Sequence, residues 1–197
     1  MAQAMQREHY FSAEEYLESE EYSERRHEYY DGRIITLIDD TNLHNHVLFN
    51  TGNLLRNQLK NKEYKIYTQS TRLEVNKGMY YAYPDLMLTG DADDRKDRRL
   101  KRHPVLIGEV LSKATEDYDR GFKLRNYRHI PSLKHYLLVA SYEYRVECFT
   151  RTQAGLDAWV YQVFDQLSDV IELPELGMKI SLAEIYDLIN FSVFEEE

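Results

Sequence analysis

Cysteine and long apolar runs are nearly absent from this chain. Cys148 is its one cysteine, so an internal disulfide is excluded and an intracellular, reducing compartment is expected. The first residues, MAQAMQREHYFSAEEY, lack the apolar stretch of a secretory signal. No later segment approaches the roughly 20 apolar residues that are needed to span a bilayer. These absences predict a soluble, cytoplasmic protein with no membrane partner.

Motifs of several common enzyme classes are absent too. The chain has no glycine-rich phosphate loop and no Gly-x-Ser-x-Gly nucleophile elbow. Its cysteine has no histidine partner in a catalytic motif. These absences disfavour P-loop enzymes and hydrolases that use a serine or cysteine nucleophile.

Positive charge is scarce relative to negative charge. The chain has 25 Lys and Arg against 34 Asp and Glu, which gives a formal net charge of -9. Such a charge repels a phosphate backbone at long range and counts against a tight, non-specific nucleic-acid binder. A nuclease can still gather its acids around metal ions and keep a local basic surface. The candidates for a DNA-binding surface are Arg95, Lys96, Arg98, Arg99, Lys101 and Arg102. A solvated loop without a partner is an equally good interpretation of this basic segment.

Length and composition favour one folded domain. A chain of 197 residues is long enough for one well-buried core and short for two. Hydrophobic residues make up 43% and aromatic residues 13%, which is ordinary for a folded protein. We therefore expect a single domain over residues 1–197 with short flexible termini.

Local patterns predict an α/β fold. Apolar spacing and the capping boxes Ser12/Glu15 and Ser181/Glu184 predict helices at 13–22, 43–59, 117–128 and 181–189. Strands are predicted at 64–75, 84–89, 104–111 and 134–140, with hairpins at 27–38 and 144–164. Because a helix links the strands at 104–111 and 134–140, we expect a central mixed β-sheet flanked by helices.

Glu109 is the most informative residue of the sequence. It lies inside the apolar run VLIGEVL at 105–111, which is typical of a strand covered on both faces. Burying an unpartnered carboxylate costs several kcal/mol. Glu109 must therefore be neutralised by a metal, by a cationic side chain or by protonation.

Asp85 repeats this anomaly at the start of the apolar strand Leu86-Met87-Leu88. If the two strands are neighbours, Asp85 and Glu109 converge and offer oxygen ligands to Mg²⁺ or Mn²⁺. Such a cation activates a water molecule and stabilises charge on a scissile phosphate. The cation beside the pair is Lys113 or Lys123, and we favour Lys123 because it lies in the helix that follows Glu109.

The sequence resembles the Uma-type family of restriction-endonuclease-like proteins. The matching segments are YPD at 83–85, IGEVLS at 107–112, DRGFKLRNY at 119–127 and YLLV at 136–139. The resemblance extends from about Phe11 to the C-terminal helix. It implies the PD-(D/E)XK nuclease fold and a homodimer. The usual lysine two residues after the acid is Leu111 here, and the resemblance implies that Lys123 replaces it from the following helix.

Three further residues are candidates for the surroundings of the site. The resemblance places Glu28 near the metal as a third ligand, although a water-exposed hairpin glutamate is an equal alternative. Gln69 precedes Asp85 by one strand and can reach the site. Tyr127, one helical turn after Lys123, can orient that lysine or simply pack in the core. His44 and His46 point in different directions on a helix, which argues against joint ligation.

Three hypotheses follow from these residues. The first is a metal-dependent endonuclease that hydrolyses DNA phosphodiester bonds, with Asp85 and Glu109 as ligands and Lys123 assisting electrostatically. The second is a catalytically inactive module with the nuclease fold that binds DNA or a protein. The third is a purely structural acid pair without metal, in which Lys123 or Arg125 forms an ion pair with Glu109.

Overall fold

A capping box starts the first helix, as the sequence predicts. Ser12 Oγ accepts a hydrogen bond from the backbone N–H of Glu15 at 3.2 Å, and the Glu15 carboxylate accepts one from the N–H of Ser12 at 2.7 Å. The helix buries Tyr16, whose hydroxyl donates to the carbonyl of His27 at 2.6 Å. This contact anchors the helix to the first strand.

The computed structural model describes residues 10–38, 40–60, 62–155 and 158–191. The helices are α1 (Ala13–Glu20), α2 (Asn42–Gln58), α3 (Ala92–Lys96), a π-helix (Tyr118–Lys123) that runs into α4 (Leu124–Tyr127), a 3-10 helix (Pro174–Leu176) and α5 (Leu182–Ile185). The strands are β1 (His27–Tyr30), β2 (Arg33–Thr36), β3 (Lys65–Thr68), β4 (Arg72–Asn76), β5 (Tyr80–Ala82), β6 (Leu86–Thr89), β7 (Leu100–Lys101), β8 (Leu106–Leu111), β9 (His135–Ala140), β10 (Val146–Arg151), β11 (Trp159–Phe164), β12 (Val170–Leu173) and β13 (Met178–Ser181).

The central sheet has six strands in the order β11-β10-β9-β8-β6-β3. Strands β8 and β9 pair in parallel, and the other neighbours pair antiparallel. The π-helix and α4 form the crossover between the two parallel strands. This arrangement confirms the predicted mixed sheet, because parallel neighbours require a crossover connection.

Helices and a second sheet cover the two faces of the central sheet. On one face, α2, α5 and the β12-β13 hairpin pack in one hydrophobic cluster with Leu86, Leu106 and Val110. On the other face, Ile107 and Leu111 pack with Tyr127 of α4 and with Leu73 and Tyr80 of the second sheet. Glu109 lies between Ile107 and Leu111 on a strand whose side chains alternate, so it points to this second face. The fold therefore directs the acidic side chain towards the π-helix.

The predicted strand at 64–75 is wrong, because the chain breaks it at residues 69–71. Strand β3 ends at Thr68 and pairs with β6 in the central sheet, whereas β4 begins at Arg72 in the five-stranded sheet β2-β1-β5-β4-β7. Gln69 has a φ of +20°, and its N–H donates to the carbonyl of Asp85 at 3.1 Å. This hydrogen bond holds the start of β6 and places Gln69 beside Asp85.

The C-terminal region differs from the predicted one in two respects. The predicted hairpin at 144–164 is present as β10 and β11, although Leu156 lies outside the described residues. The β12-β13 hairpin has no counterpart among the predicted elements. The predicted helix at 181–189 ends at Ile185, and Ser181, the last paired residue of β13, makes no side-chain cap. In the described ranges, no helix has the length and apolar character to cross a membrane.

Candidate functional site

Strand pairing brings Asp85 and Glu109 together. Leu86 of β6 faces Gly108 of β8, so the residues just before and just after this pair are neighbours. The N–H of Asp85 donates to Glu109 Oε2 at 3.1 Å, and the N–H of Val110 donates to Asp85 Oδ2 at 2.8 Å. The convergence of the two acids that the sequence predicts is present.

Glu109 is almost completely buried, with 2% exposure. Its Oε1 accepts a hydrogen bond from the Tyr127 hydroxyl at 2.9 Å and lies 3.1 Å from Lys123 Nζ. Burial raises the pKa of Glu109 well above its usual range, and the positive charge of Lys123 opposes that shift. The carboxylate is thus held by donors on both of its oxygens.

Lys123, at the end of the π-helix, is the buried cation of the site. Its Nζ lies 3.1 Å from Glu109 Oε1, 3.1 Å from Asp119 Oδ1 and 3.6 Å from Glu28 Oε1. Burial alone would lower the pKa of Lys123, but these carboxylates raise it well above its ordinary value. Lys123 therefore carries a positive charge and faces the predicted acids, whereas Arg125 is exposed.

Glu28 is fully buried, so its interpretation as a water-exposed hairpin residue is wrong. Its carboxylate accepts hydrogen bonds from the Tyr118 hydroxyl at 3.0 Å and from the N–H of Tyr83 at 3.2 Å. Strand β1 places Glu28 Oε1 3.6 Å from Lys123 Nζ. A carboxylate in this position helps to neutralise the lysine.

A histidine and another acid stand on the open side of Asp85. His44 Nε2 lies 3.1 Å from Asp85 Oδ2 and 3.6 Å from Asp40 Oδ1. Gln69 Nε2 lies 2.6 Å from Asp40 Oδ2 and 3.3 Å from Asp85 Oδ1. Burial alone would raise the pKa of Asp85, but the hydrogen bond and charge of His44 bring it below the usual value. Gln69 thus reaches the predicted site.

These groups line a cleft of about 350 Å³. The carboxylates in and around it belong to Glu28, Asp40, Asp85, Glu109 and Asp119, and they face the buried cation Lys123 and the imidazole of His44. Ligand atoms of Asp40, His44 and Asp85 lie within 4.8 Å of one another. Carboxylate oxygens and an imidazole nitrogen are established ligands of divalent cations. The residues present therefore fit a divalent metal ion.

The basic segment at 95–102 has a different structure from the predicted loop. It comprises part of α3 and the short strand β7, and none of its residues is among the described residues that line the cleft. Lys101 is 1% exposed, and its Nζ donates to the carbonyls of Asp94 and Asp97. This burial excludes Lys101 as a surface contact for DNA.

The other basic side chains of the segment are exposed, and several of them have acidic partners. Arg102 pairs with Glu74 at 2.6 Å, and Arg99 pairs with Glu21 at 3.3 Å. Lys96 pairs with Asp93 at 3.0 Å. Exposed ion pairs of this kind are weak, so the positive field of the segment is reduced but not removed.

The chain matches the model of a protein family along most of its length. The match covers residues 13–183, and the family, Uma2, is described as "Putative restriction endonuclease". The chain belongs to the Uma2 family. Two proteins of Synechocystis sp. (strain ATCC 27184 / PCC 6803 / Kazusa) are similar to this Uma2 protein. "Uncharacterized protein slr1290" is 34% identical over 180 residues, 91% of this chain and 93% of its own. "Uncharacterized protein sll1609" is 33% identical over 142 residues, 71% of this chain and 80% of its own.

A solved structure shows the fold of this Uma2 protein. The crystal structure of "a putative nuclease belonging to DUF820" from Anabaena variabilis ATCC 29413 matches it with a TM-score of 0.71 at 16% identity. The match covers 92% of this chain and 98% of that chain. The predicted restriction-endonuclease-like fold is thereby confirmed.

The sequence does not single out three residues of the cleft as candidate site residues, namely Asp40, His44 and Asp119. Two of them carried a signal at helical spacing, because Asp119 precedes Lys123 by four residues and Asp40 precedes His44 by four. His44 was considered only together with His46, which is exposed on the other side of α2. Only the folded structure shows that His44 alone turns towards Asp85.

Proposed function

We propose that this Uma2 protein is a divalent-metal-dependent endonuclease that hydrolyses DNA phosphodiester bonds. The observation that supports the proposal is the position of Glu109 between Asp85 and Lys123 at an open cleft: it accepts a hydrogen bond from the N–H of Asp85 and lies 3.1 Å from Lys123 Nζ. Family membership supports it further, because the family is described as "Putative restriction endonuclease".

Asp85 and Glu109 are the residues that would hold Mg²⁺ or Mn²⁺. When bound, such a cation acts as a Lewis acid towards the phosphate and lowers the pKa of a bound water. The protein contributes fixed geometry. The N–H of Val110 orients Asp85 from one side and Gln69 orients it from the other.

Lys123 and Tyr127 set the geometry and charge of Glu109. The Lys123 ammonium group and the Tyr127 hydroxyl both contact Oε1 of Glu109, whereas Oε2 accepts a hydrogen bond from the N–H of Asp85. Lys123 is buried among carboxylates, so its role is to balance their charge and to fix Glu109 rather than to contact DNA. Fixed charges of this kind cost no reorganisation during the reaction.

The phosphate contacts are assigned to the mouth of the cleft. Lys113 is exposed two residues after β8 and lines the cleft, as do Ser112 and Thr115. A cation and hydroxyls at a cleft of this size suit a phosphodiester backbone, which is bound through phosphate oxygens. This assignment concerns positioning and not sequence readout.

A second candidate function is a nuclease-fold module that binds DNA or a protein without cleaving it. The engagement of the Lys123 ammonium group by surrounding carboxylates favours this alternative, because the buried lysine then pairs with the protein's own acids and not with substrate. The net charge of -9 also opposes tight DNA binding.

A cleavage assay with a matched pair of variants tests the proposal. Purified protein is incubated with plasmid DNA and Mg²⁺ or Mn²⁺, and Asp85→Asn is compared with Asp117→Asn. Asp117 is exposed and makes no side-chain cap, so it serves as the control. Asp85→Asn should lower the rate by roughly 100-fold or more, and Asp117→Asn should keep it. Robust cleavage by a folded Asp85→Asn would refute the proposal, and DNA binding without cleavage in either metal would support the module.

A further inference from the structure

The start of α2 builds one wall of the cleft. Thr41 is the N-cap residue, and its Oγ1 accepts a hydrogen bond from the N–H of His44 at 3.2 Å. This cap fixes the first turn of the helix, in which His44 is 5% exposed and directs Nε2 towards Asp85. Asp40 directly precedes the cap, so its carboxylate stands beside the same nitrogen at 3.6 Å.

Asp85 lies between two sets of candidate ligands that differ in their exposure to solvent. On its inner side, Glu109 is 2% exposed, and Lys123 and the Tyr127 hydroxyl both contact its Oε1. On its outer side, the side chains of Asp40 and Asp85 retain 23% and 16% exposure to the cleft. An ion that enters from solvent therefore meets Asp40, His44 and Asp85 first.

Gln69 holds the two outer carboxylates in fixed positions. Its amide nitrogen contacts Asp40 at 2.6 Å and Asp85 at 3.3 Å. The backbone of Gln69 is itself held in place, because its main-chain carbonyl accepts a hydrogen bond from Arg26 Nη1 at 3.0 Å. Residues that orient ligands in this way are typical of a metal site that is organised before the ion binds.

We propose that Asp40 and His44 complete the cation site of Asp85, so that the ion is bound through one imidazole nitrogen as well as carboxylate oxygens. This inference rests on the proposed function, because it assigns further ligands at the same cleft. Transition-metal ions accept an imidazole nitrogen more readily than Mg²⁺ and Ca²⁺, which take oxygen ligands. The protein should therefore bind Mn²⁺ more tightly than Mg²⁺.

The competing explanation is an ion pair without metal. A protonated His44 between Asp40 and Asp85 would satisfy the same distances. The two explanations differ in whether the imidazole nitrogen is bonded to the metal when Mn²⁺ is added. A spectroscopic measurement of nitrogen coupling to Mn²⁺ separates them directly.

The test is pulsed electron paramagnetic resonance of the Mn²⁺-loaded full chain, without nucleic acid. Wild-type protein is prepared unlabelled and with ¹⁵N-histidine. The proposal predicts a ¹⁴N modulation of the Mn²⁺ signal that changes to the ¹⁵N pattern on labelling. Its absence from wild-type protein that binds Mn²⁺ overturns the proposal, and this result needs no variant.

Variants then identify the histidine. His44→Gln should remove the nitrogen modulation and weaken Mn²⁺ binding by roughly tenfold or more in calorimetry. The matched control is His46→Gln, which changes an exposed histidine of the same helix and should alter neither. His44→Asp should retain binding without nitrogen coupling and shift the preference towards Mg²⁺. Persistence of the nitrogen signal in a folded His44→Gln contradicts the assignment.

These measurements distinguish a failure of the metal-site proposal from a failure of the proposed function. Nitrogen coupling from His44 together with a complete lack of DNA cleavage would support the metal site and reject the endonuclease. Cleavage that needs Asp85, with no nitrogen coupling, would support the endonuclease and reject His44 as a ligand. Asp40→Asn should weaken Mn²⁺ binding while it leaves the nitrogen signal in place.

Discussion

The backbone N–H of Asp85 donates to the carboxylate of Glu109, while the N–H that follows Glu109 donates back to the carboxylate of Asp85. The two acids are thus locked to each other through the main chains of β6 and β8 and not only through a shared neighbour. A shift of either strand would move both carboxylates, so the sheet itself sets the distance between them.

Glu109→Gln should separate activity from stability. The amide keeps an acceptor for the N–H of Asp85 but removes a buried negative charge, and burial already raises the pKa of this carboxyl. Lys123 keeps the carboxylates of Asp119 and Glu28 as partners. We therefore expect the loss in the free energy of unfolding to stay below the about 3–5 kcal/mol of a fully broken buried ion pair, while metal-dependent cleavage falls by roughly 100-fold or more. Urea unfolding and a cleavage assay on the same preparation measure both. Full cleavage by the variant would contradict the role given to Glu109.

Lys123→Met, in contrast, should lower the free energy of unfolding strongly. It leaves the buried carboxylates of Glu28, Glu109 and Asp119 without their cation. Removing one partner of a buried ion pair costs about 3–5 kcal/mol. Urea unfolding measures the loss, and Lys113→Met at an exposed position should stay within about 0.5 kcal/mol of wild type. A loss for Lys123→Met as small as that of its control would show that the cluster is already neutral.

His135 should make the protein less stable in mild acid. Burial lowers the pKa of His135 to about 4, and the unfolded chain has the ordinary value of about 6.5. Because the unfolded chain then binds the proton more readily, this contribution is present above pH 6.5 and is lost as the pH falls towards 4. The full loss is roughly 3 kcal/mol.

The measurement for His135 is the difference between wild type and His135→Asn in urea unfolding from pH 7 to pH 4. Acidic groups elsewhere contribute to both proteins and cancel in the difference. His46→Asn, at an exposed position of α2, serves as the control. Parallel pH profiles for wild type and His135→Asn would show that His135 is not the source.

DNA binding should depend on the cleft more than on the basic segment. Each phosphate contact adds about one unit to the salt dependence of the binding constant. In EDTA, which prevents cleavage, Lys113→Gln should lower this slope by about one unit. Arg98→Gln, also at an exposed position, should leave it unchanged. The reverse result would place the DNA on the segment at 95–102.

The sequence predicts the acidic core of the site because a charge inside an apolar strand is conspicuous. Asp85 and Glu109 stand out for this reason, and the adjacency of β6 and β8 brings them together as expected. The position of Lys123 in the helix that follows Glu109 favoured this lysine over Lys113, and the family resemblance implies the same residue. The homodimer and the roles of the site residues stay predictions.

Other parts of the structure have no clear local signal. The break between β3 and β4 contains neither glycine nor proline, so the sequence at 64–75 gave no sign that its halves enter different sheets. His44 contacts Asp85, which lies 41 residues further along the chain. A contact of that kind depends on how α2 docks on the sheet, and helical periodicity alone does not determine it.

The π-helix makes chain length a part of the site. The N–H of Leu124 reaches back to the carbonyl of Asp119, five residues earlier, which is one residue more than an α-helical turn accommodates. Winding the same residues as an ordinary α-helix, at about 100° per residue, would turn Lys123 further around the helix axis. The lysine would then be out of phase with Glu109 although every side chain of the cleft was still present. The number of residues between β8 and Lys123 is therefore as much a part of the site as the residues themselves.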